Sequence, residues 1–207
     1  MKQKIIGIMA DSHGQIDTIR DALGLFTAAD CVSIYHLGDI CDSDHPETAD
    51  ACMRLLQGRR VRAIKGNNDQ AILANHSGRK SSPVSAQSLQ TLKNLELIKY
   101  YQGAIFTHSL PFVQELGLSS MIGAMGPMET RRFCDQFPGK ILFRGHSHNP
   151  EIAWLLRQQV KTRPLQIGHK LNLAEKIPCV VTCGALTRGL CMFWNPAENT
   201  IESVSFR

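Results

Sequence analysis

Lys4-Ile5-Ile6-Gly7-Ile8-Met9-Ala10-Asp11-Ser12-His13-Gly14 is the stretch whose reading decides the fold. Ile5 to Ala10 is short and almost continuously apolar, as in a strand buried on both faces, and the Asp-Ser-His-Gly turn ends it. Ile16, Ile19, Leu23 and Phe26 then recur at helical spacing, so residues 4–28 read as one strand-loop-helix unit. The pattern repeats. Cys31 to Leu37 reads as a second strand stopped by Gly38-Asp39, and Pro46 suits the first turn of a helix over 46–57. Val61 to Lys65 reads as a third, stopped by Gly66-Asn67-Asn68-Asp69. Such repetition predicts parallel strands joined by helical crossovers, which sets the three turns on one edge of a sheet.

Beyond this the chain changes character. Asn75 to Ser82 is polar and reads as a loop with a solvated His76, while Ser85 suits the N-cap of a helix carrying Leu89, Leu92 and Leu95. Leu97–Tyr101 and Ala104–Thr107, joined by Gln102-Gly103, read as a hairpin whose second strand delivers His108. Within 110–138 a helical piece is expected near Met128 to Phe137. Gly123 and Gly126 break the spacing of Met121, Met125 and Met128, which reads as adaptable packing or a mobile segment. A strand over Lys140 to Phe143 leads into Arg144-Gly145-His146-Ser147-His148-Asn149. Strand candidates at Ile152–Leu156, Pro164–Ile167, Pro178–Thr182, Leu190–Trp194 and Thr200–Phe206 make the last third mostly β, expected as an antiparallel second sheet packed on the first.

At 207 residues and 43% hydrophobic content, the chain suits one sizeable core, and 1–207 is expected as a single domain. Only about six apolar or small residues precede Asp11, too few for a signal-peptide core, and no run reaches the roughly 18 residues of a bilayer span. A soluble cytoplasmic protein with no membrane partner is expected. Seven cysteines without a CxxC pair favour reduced core thiols over disulfides or a zinc-cysteine site. The net charge of +5 suits an anionic substrate without demanding nucleic acid. Arg59, Arg60, Arg62 and Lys65 alternate with Val61, Ala63 and Ile64, as on a strand's exposed face.

Asp11, His13, Asp39, Asn67, His108, His146 and His148 all stand just after an apolar run. Oxygen donors mixed with four imidazoles suit Mn²⁺, Fe, Co, Ni or Zn better than Mg²⁺ or Ca²⁺. Seven ligands exceed the needs of one four-coordinate ion, whereas two ions sharing a carboxylate would use them all. Two such ions clamp the attacking and leaving oxygens of an in-line displacement at phosphorus and acidify a bridging water.

Asp11-x-His13, Gly38-Asp39-x-x-Asp42, Gly66-Asn67-x-Asp69, His108 and Gly145-His146-x-His148 resemble, in order and across about two-thirds of the chain, the five blocks of the calcineurin-like metallophosphoesterase superfamily. The resemblance implies an α/β fold, a four-layer α/β/β/α sandwich of two mixed sheets with a dinuclear metal site at one edge. It assigns Asp11, His13 and His148 to one ion and Asn67, His108 and His146 to the other, with Asp39 bridging. Mn²⁺ is the first choice of metal. The implied activity is hydrolysis of a phosphodiester or small nucleotide-like phosphate ester by a metal-bridging hydroxide.

One departure stands out. Phosphatase members carry a histidine after the motif asparagine, with an aspartate orienting it; here that place is Asn68, and Asp42, the aspartate's counterpart, is kept. Asn68 and Asp42 are therefore the candidate catalytic residues, although an amide has no proton to give near pH 7. The length, the Asp-x-His-Gly start and the histidine-free block resemble the small bacterial and archaeal phosphodiesterase members. Ser109 stands where a glycine commonly follows the metal histidine, and its hydroxyl suits either a phosphate contact or a loop anchor. The competing reading is a scaffold or regulatory binding protein with the same fold, but a scaffold has no chemical need of four histidines and two aspartates. Ser43-Asp44 after Asp42 argues against a phosphoprotein phosphatase, and no aromatic-interleaved basic stripe supports a nuclease.

Overall fold

The computed structural model describes residues 4–112 and 121–206. The N-terminal part runs β1 (Ile6–Met9), α1 (Ile16–Ala28), β2 (Ser33–His36), α2 (Ala49–Gly58), β3 (Arg62–Ala63), α3 (Asn67–His76) and α4 (Ala86–Asn94). A hairpin follows, β4 (Ile98–Tyr101) and β5 (Ala104–Thr107), then α5 (Pro127–Gln136) and β6 (Ile141–Arg144). Six more strands complete the chain: β7 (Glu151–Leu156), β8 (Gln159–Pro164), β9 (Lys170–Asn172), β10 (Cys179–Thr182), β11 (Leu190–Asn195) and β12 (Thr200–Ser205).

The strands form two mixed sheets of six, in the orders β3-β2-β1-β11-β12-β9 and β4-β5-β6-β10-β7-β8. In the first, β1, β2 and β3 are parallel, as their helical crossovers require. In the second, β5, β6 and β10 are parallel. Ile6, Ile8, Tyr35 and Leu37 meet Phe106, Phe143 and Val181 between the sheets, where Tyr35 and Phe106 stack with centroids 4.1 Å apart. Met9 faces the other way, into a second cluster with Ile19, Leu23 and Phe26 of α1 and Met53 and Leu56 of α2. Phe133 and Cys134 of α5 cover the outer face of the second sheet at Ile105, Leu142 and Val180. Helices thus cover both outer faces, which is the expected α/β/β/α sandwich. Each fully buried Ile or Phe contributes about 1.5–3 kcal/mol relative to exposure.

Three expectations are corrected. Residues 67–76 form α3 rather than a turn leading into a loop, so Asn75 and His76 end a helix. Its apolar residues follow no single stripe, and its start rests on Gly66 with the Asp69 carboxylate reaching back to the Gly66 N–H. The second sheet is not built from the C-terminal third alone: β4, β5 and β6 contribute half of it, while β9, β11 and β12 extend the first sheet. Leu165 to Ile167 lies outside any strand, because β8 ends at Pro164 and the following turn leads to β9, which was not anticipated. The helix placed over 46–57 begins with a 3-10 turn at Pro46–Thr48. Part of the methionine segment, 113–120, lies outside the described residues. All seven cysteines are free and six are buried. No helix among the described residues is long and apolar enough to cross a membrane.

Candidate metal centre

The carboxyl ends of the parallel strands and the start of α3 meet at one edge of the sandwich. Asp11 and His13 follow β1, Asp39 follows β2, Asn67 and Asn68 open α3, His108 follows β5, and His146 and His148 follow β6. Five of these adopt left-handed backbone: Asp11 (φ 55), His13 (42), Asp39 (52), His146 (70) and His148 (62). The loops hold this conformation by binding one another. Asp11 N–H donates to Gly38 O (3.1 Å), His13 N–H to Asp39 O (3.1 Å) and Gly14 N–H to Ile40 O (2.9 Å). Between the neighbouring ends of β5 and β6, Gly145 N–H donates to His108 O at 3.2 Å.

Close approach also depends on glycine. A Cβ on Gly66 would fall on the backbone nitrogen and Oδ1 of Asp39, and one on Gly145 would lie 2.9 Å from Asp11 Oδ2. Gly38, itself at φ +86, leaves no room for a Cβ between the Gly66 nitrogen and His108 Nδ1.

All seven sequence-predicted ligands are brought together. His13 Nε2 and His148 Nε2 are 3.3 Å apart, and His148 Nε2 is 3.7 Å from Asp11 Oδ1. On the other side His108 Nε2 is 3.1 Å from Asn67 Oδ1, 3.2 Å from His146 Nδ1 and 3.5 Å from Asp39 Oδ1. Asp39 lies between, its Oδ2 3.8 Å from His13 Nε2. Ligand atoms of Asp11, His13 and His148 lie within 4.8 Å of one another, as do those of Asp11, Asp39 and His108.

The donor set fits cations. His108 Nδ1 is 2.8 Å from the Leu37 carbonyl, which fixes the proton there and leaves Nε2 as a bare lone pair. That lone pair faces Asn67 Oδ1 and Asp39 Oδ1, both acceptors, so the three atoms together present lone pairs suited to a positive ion. Burial holds the pKa of His108, His146 and His148 below the ordinary imidazole value, favouring the neutral ligand form. Burial, then the neighbouring Asp39 charge, pushes Asp11 well above the usual carboxylate range.

Of the candidate catalytic residues, Asn68 is wholly engaged. Its amide donates to Asp39 Oδ2 (2.8 Å), its backbone N–H donates to Asp39 Oδ1 (2.8 Å), and its Oδ1 accepts from Ser43 Oγ (2.8 Å). Asp42 accepts the Asp44 N–H at 2.9 Å, a local turn bond, and is only partly exposed. Ser109 serves the loop: its buried hydroxyl donates to the Gly123 carbonyl.

Three residues without an expected role support the site. Asp69, fully buried, accepts N–H groups from Ile40 (3.1 Å), Cys41 (3.0 Å) and Gly66 (2.9 Å), tying the loop after β2 to the start of α3. The sequence signal was an acid three residues after the capping glycine. His36, at the end of β2, is buried beneath the centre with Nε2 3.0 Å from Ser12 Oγ, and burial lowers its pKa to about 3. Arg144 is buried behind His146; its Nε donates to the Ser109 carbonyl at 3.3 Å, and its charge faces Asp11.

Known proteins agree with this architecture. A family model described as calcineurin-like phosphoesterase superfamily domain matches residues 5–170. A metallophosphoesterase from Sphaerobacter thermophilus superposes with a TM-score of 0.74 at 19% identity, covering 100% of this chain and 90% of that one. A hypothetical protein from Pyrococcus horikoshii gives 0.65 at 10% identity, covering 97% and 87%. A structure described as a novel archaeal phosphodiesterase gives 0.53 at 13% identity, covering 97% and 99%. At these identities the likeness is one of fold. No curated protein matches the sequence significantly.

Proposed function

The chain belongs to the calcineurin-like phosphoesterase superfamily, and we propose that it is a phosphodiesterase working with two divalent cations, Mn²⁺ foremost, on a small phosphate diester. The observation that carries this reading is Asp39, whose Oδ1 faces His108 and whose Oδ2 faces His13, so that one carboxylate addresses both halves of the ligand set. Asp11, His13 and His148 would hold one ion and Asn67, His108 and His146 the other. Such a pair, when bound, supplies an acidified water as nucleophile and positive charge for the phosphorane.

The chain's own residues set the rest. Asn68 clamps both oxygens of Asp39 and fixes the carboxylate plane, a positioning role. Its carboxamide has no proton to give near pH 7, and the missing acid costs about 10²–10⁴-fold on a poor leaving group. Substrates with an acidic leaving group are therefore preferred. The archaeal phosphodiesterase of the same fold supports the diester reading.

The test is reconstitution of the purified protein with Mn²⁺, Zn²⁺, Ni²⁺ or Mg²⁺, followed by turnover of bis(p-nitrophenyl) phosphate and p-nitrophenyl phosphate. Two ions per chain and faster diester cleavage are expected. No turnover with any metal, together with fewer than two ions bound, would sink the proposal and favour a binding scaffold.

A further inference from the structure

Helix α3 has two different faces. Asp69, Ile72 and Leu73 are buried against the protein, whereas Asn67, Gln70, Ala71, Ala74 and Asn75 line an open cavity of about 500 Å³. These five positions, at i, i+3, i+4, i+7 and i+8, form one continuous helical stripe. The stripe starts at Asn67 in the metal centre and, at about 1.5 Å per residue, runs about 12 Å away from it. The opposite wall is Leu97 and Met121. A larger hollow, about 730 Å³, lies outside α5 and shares no residue with the centre.

From this arrangement we infer that the trough along α3 receives the organic substituent of the phosphoester, and that this substituent is a nucleoside. The inference rests on the phosphoesterase reading and names its substrate class. Three features select a nucleoside. Ala71, Ala74, Leu97 and Met121 give apolar walls between which a flat ring can lie, with the small alanines admitting it close to the helix. The carboxamides of Gln70 and Asn75 each offer a donor and an acceptor, the pairing that reads a base edge, and an alkyl chain would leave them unused. Among the described residues no carboxylate lines the trough, and Lys65, held by its bond to the Lys93 carbonyl (3.2 Å), supplies the one formal charge there, which suits a neutral base carried on an anionic phosphate. The volume falls within the roughly 300–1,000 Å³ of small-molecule sites.

The test compares two diesters with the same leaving group, thymidine 5′-(p-nitrophenyl phosphate) and methyl p-nitrophenyl phosphate, on the Mn²⁺-loaded protein. Thymidine 5′-monophosphate and inorganic phosphate binding are measured beside them by calorimetry. Expected are a kcat/KM ratio of at least tenfold for the nucleoside diester, carried by KM, and a nucleotide bound at least tenfold more tightly than phosphate. Ala74→Phe, at an exposed helical position, fills the trough and should bring both ratios below threefold. Ratios below threefold in the unmutated protein, ratios unmoved by Ala74→Phe, or an octyl p-nitrophenyl diester outrunning the nucleoside diester overturn the inference. Absence of turnover on either diester refutes the phosphodiesterase reading alone, and the calorimetric ratio then decides whether the trough takes a nucleoside.

Discussion

Gly66→Ala is the most direct probe of the centre, because it adds one methyl group and removes no ligand. Gly66 has an extended backbone that any residue adopts, so the effect is one of space. The new Cβ would sit on the Asp39 nitrogen and Oδ1 and 2.9 Å from Asp39 Cγ. Carbon atoms rest about 3.5–4.0 Å apart, so the carboxylate carbon must retreat by about 0.6 Å or more, and the oxygen further. The contact is with backbone and with a carboxylate clamped twice by Asn68, so no flexible side chain can give way. A displacement near 1 Å at a reacting centre costs about 10²-fold in rate, and overpacking of this kind costs about 1–3 kcal/mol of stability. The assay is kcat/KM on an activated diester, with bound metal counted by mass spectrometry and stability followed by urea unfolding. Gly24→Ala, in α1 with nothing within 4 Å of its Cβ, is the control and should gain about 0.5–1 kcal/mol without touching activity. Gly66→Ala with two ions bound and a rate within threefold of the unmutated protein would refute the argument that Asp39 is held by close packing.

Four further outcomes are expected. Asp39→Ala should lose both ions together, and retention of one at full occupancy, read by metal analysis, would mean that Asp39 does not bridge. Asn68→His should raise kcat/KM for an alkyl diester at least tenfold relative to a nitrophenyl diester; equal effects on both would argue against a missing acid. His36 has a folded pKa of about 3, below the unfolded value near 6.5, so its contribution is complete above pH 6.5 and lost as the pH falls toward 3. His36→Gln should therefore lower the slope of chelated-protein stability between pH 6 and 4 by about 1.4 kcal/mol per pH unit, and an unchanged slope in urea titrations would contradict this. His148→Gly, at φ 62 and partly exposed, should stabilise the chelated protein by about 1 kcal/mol while weakening metal binding; destabilisation would show that the imidazole supports the fold.

The site was more legible than the topology. Asp11, His13, Asp39, His108, His146 and His148 each stand directly after an apolar run, and strand ends are local features that periodicity marks well. Sheet membership is not local. β11 pairs with β1 and β12 with β11, while β7 pairs with β10, a choice made by partners far along the chain and not by the residues of each strand. Helix α3 was missed because its apolar residues are divided: Ile72 and Leu73 face the core, and Ala71 and Ala74 face the trough, so no single stripe forms. The division that hid the helix is the one that gives it two functions. Asp69 was quoted within its block without a role, since three backbone donors from two loops become visible only when those loops are placed together.

The backbone of the centre explains why the ligands come as turns and not as parts of regular elements. Five non-glycine residues in left-handed conformation cost about 1–2 kcal/mol each, or roughly 5–10 kcal/mol together, which is comparable with the roughly 5–15 kcal/mol total stability of a domain. Such a set persists only where neighbours over-determine it. Here the neighbours are each other: the 11–14 loop binds the 38–40 loop through three backbone bonds, Asp69 binds the 40–41 turn to α3, and Asp11 accepts the His146 N–H at 3.0 Å. Leu186 and Thr187 close the frame from the 3-10 turn ahead of β11 by donating to the Ala10 and Asp11 carbonyls (2.9 and 3.3 Å). A left-handed residue at a strand end turns its side chain out of the sheet's alternation, which lets His146 and His148, two residues apart, address opposite halves of the ligand set. The strain is thus the means by which neighbouring loop positions face both halves of the ligand set, and the hydrogen-bonded frame beneath them is what the two sheets are packed to support.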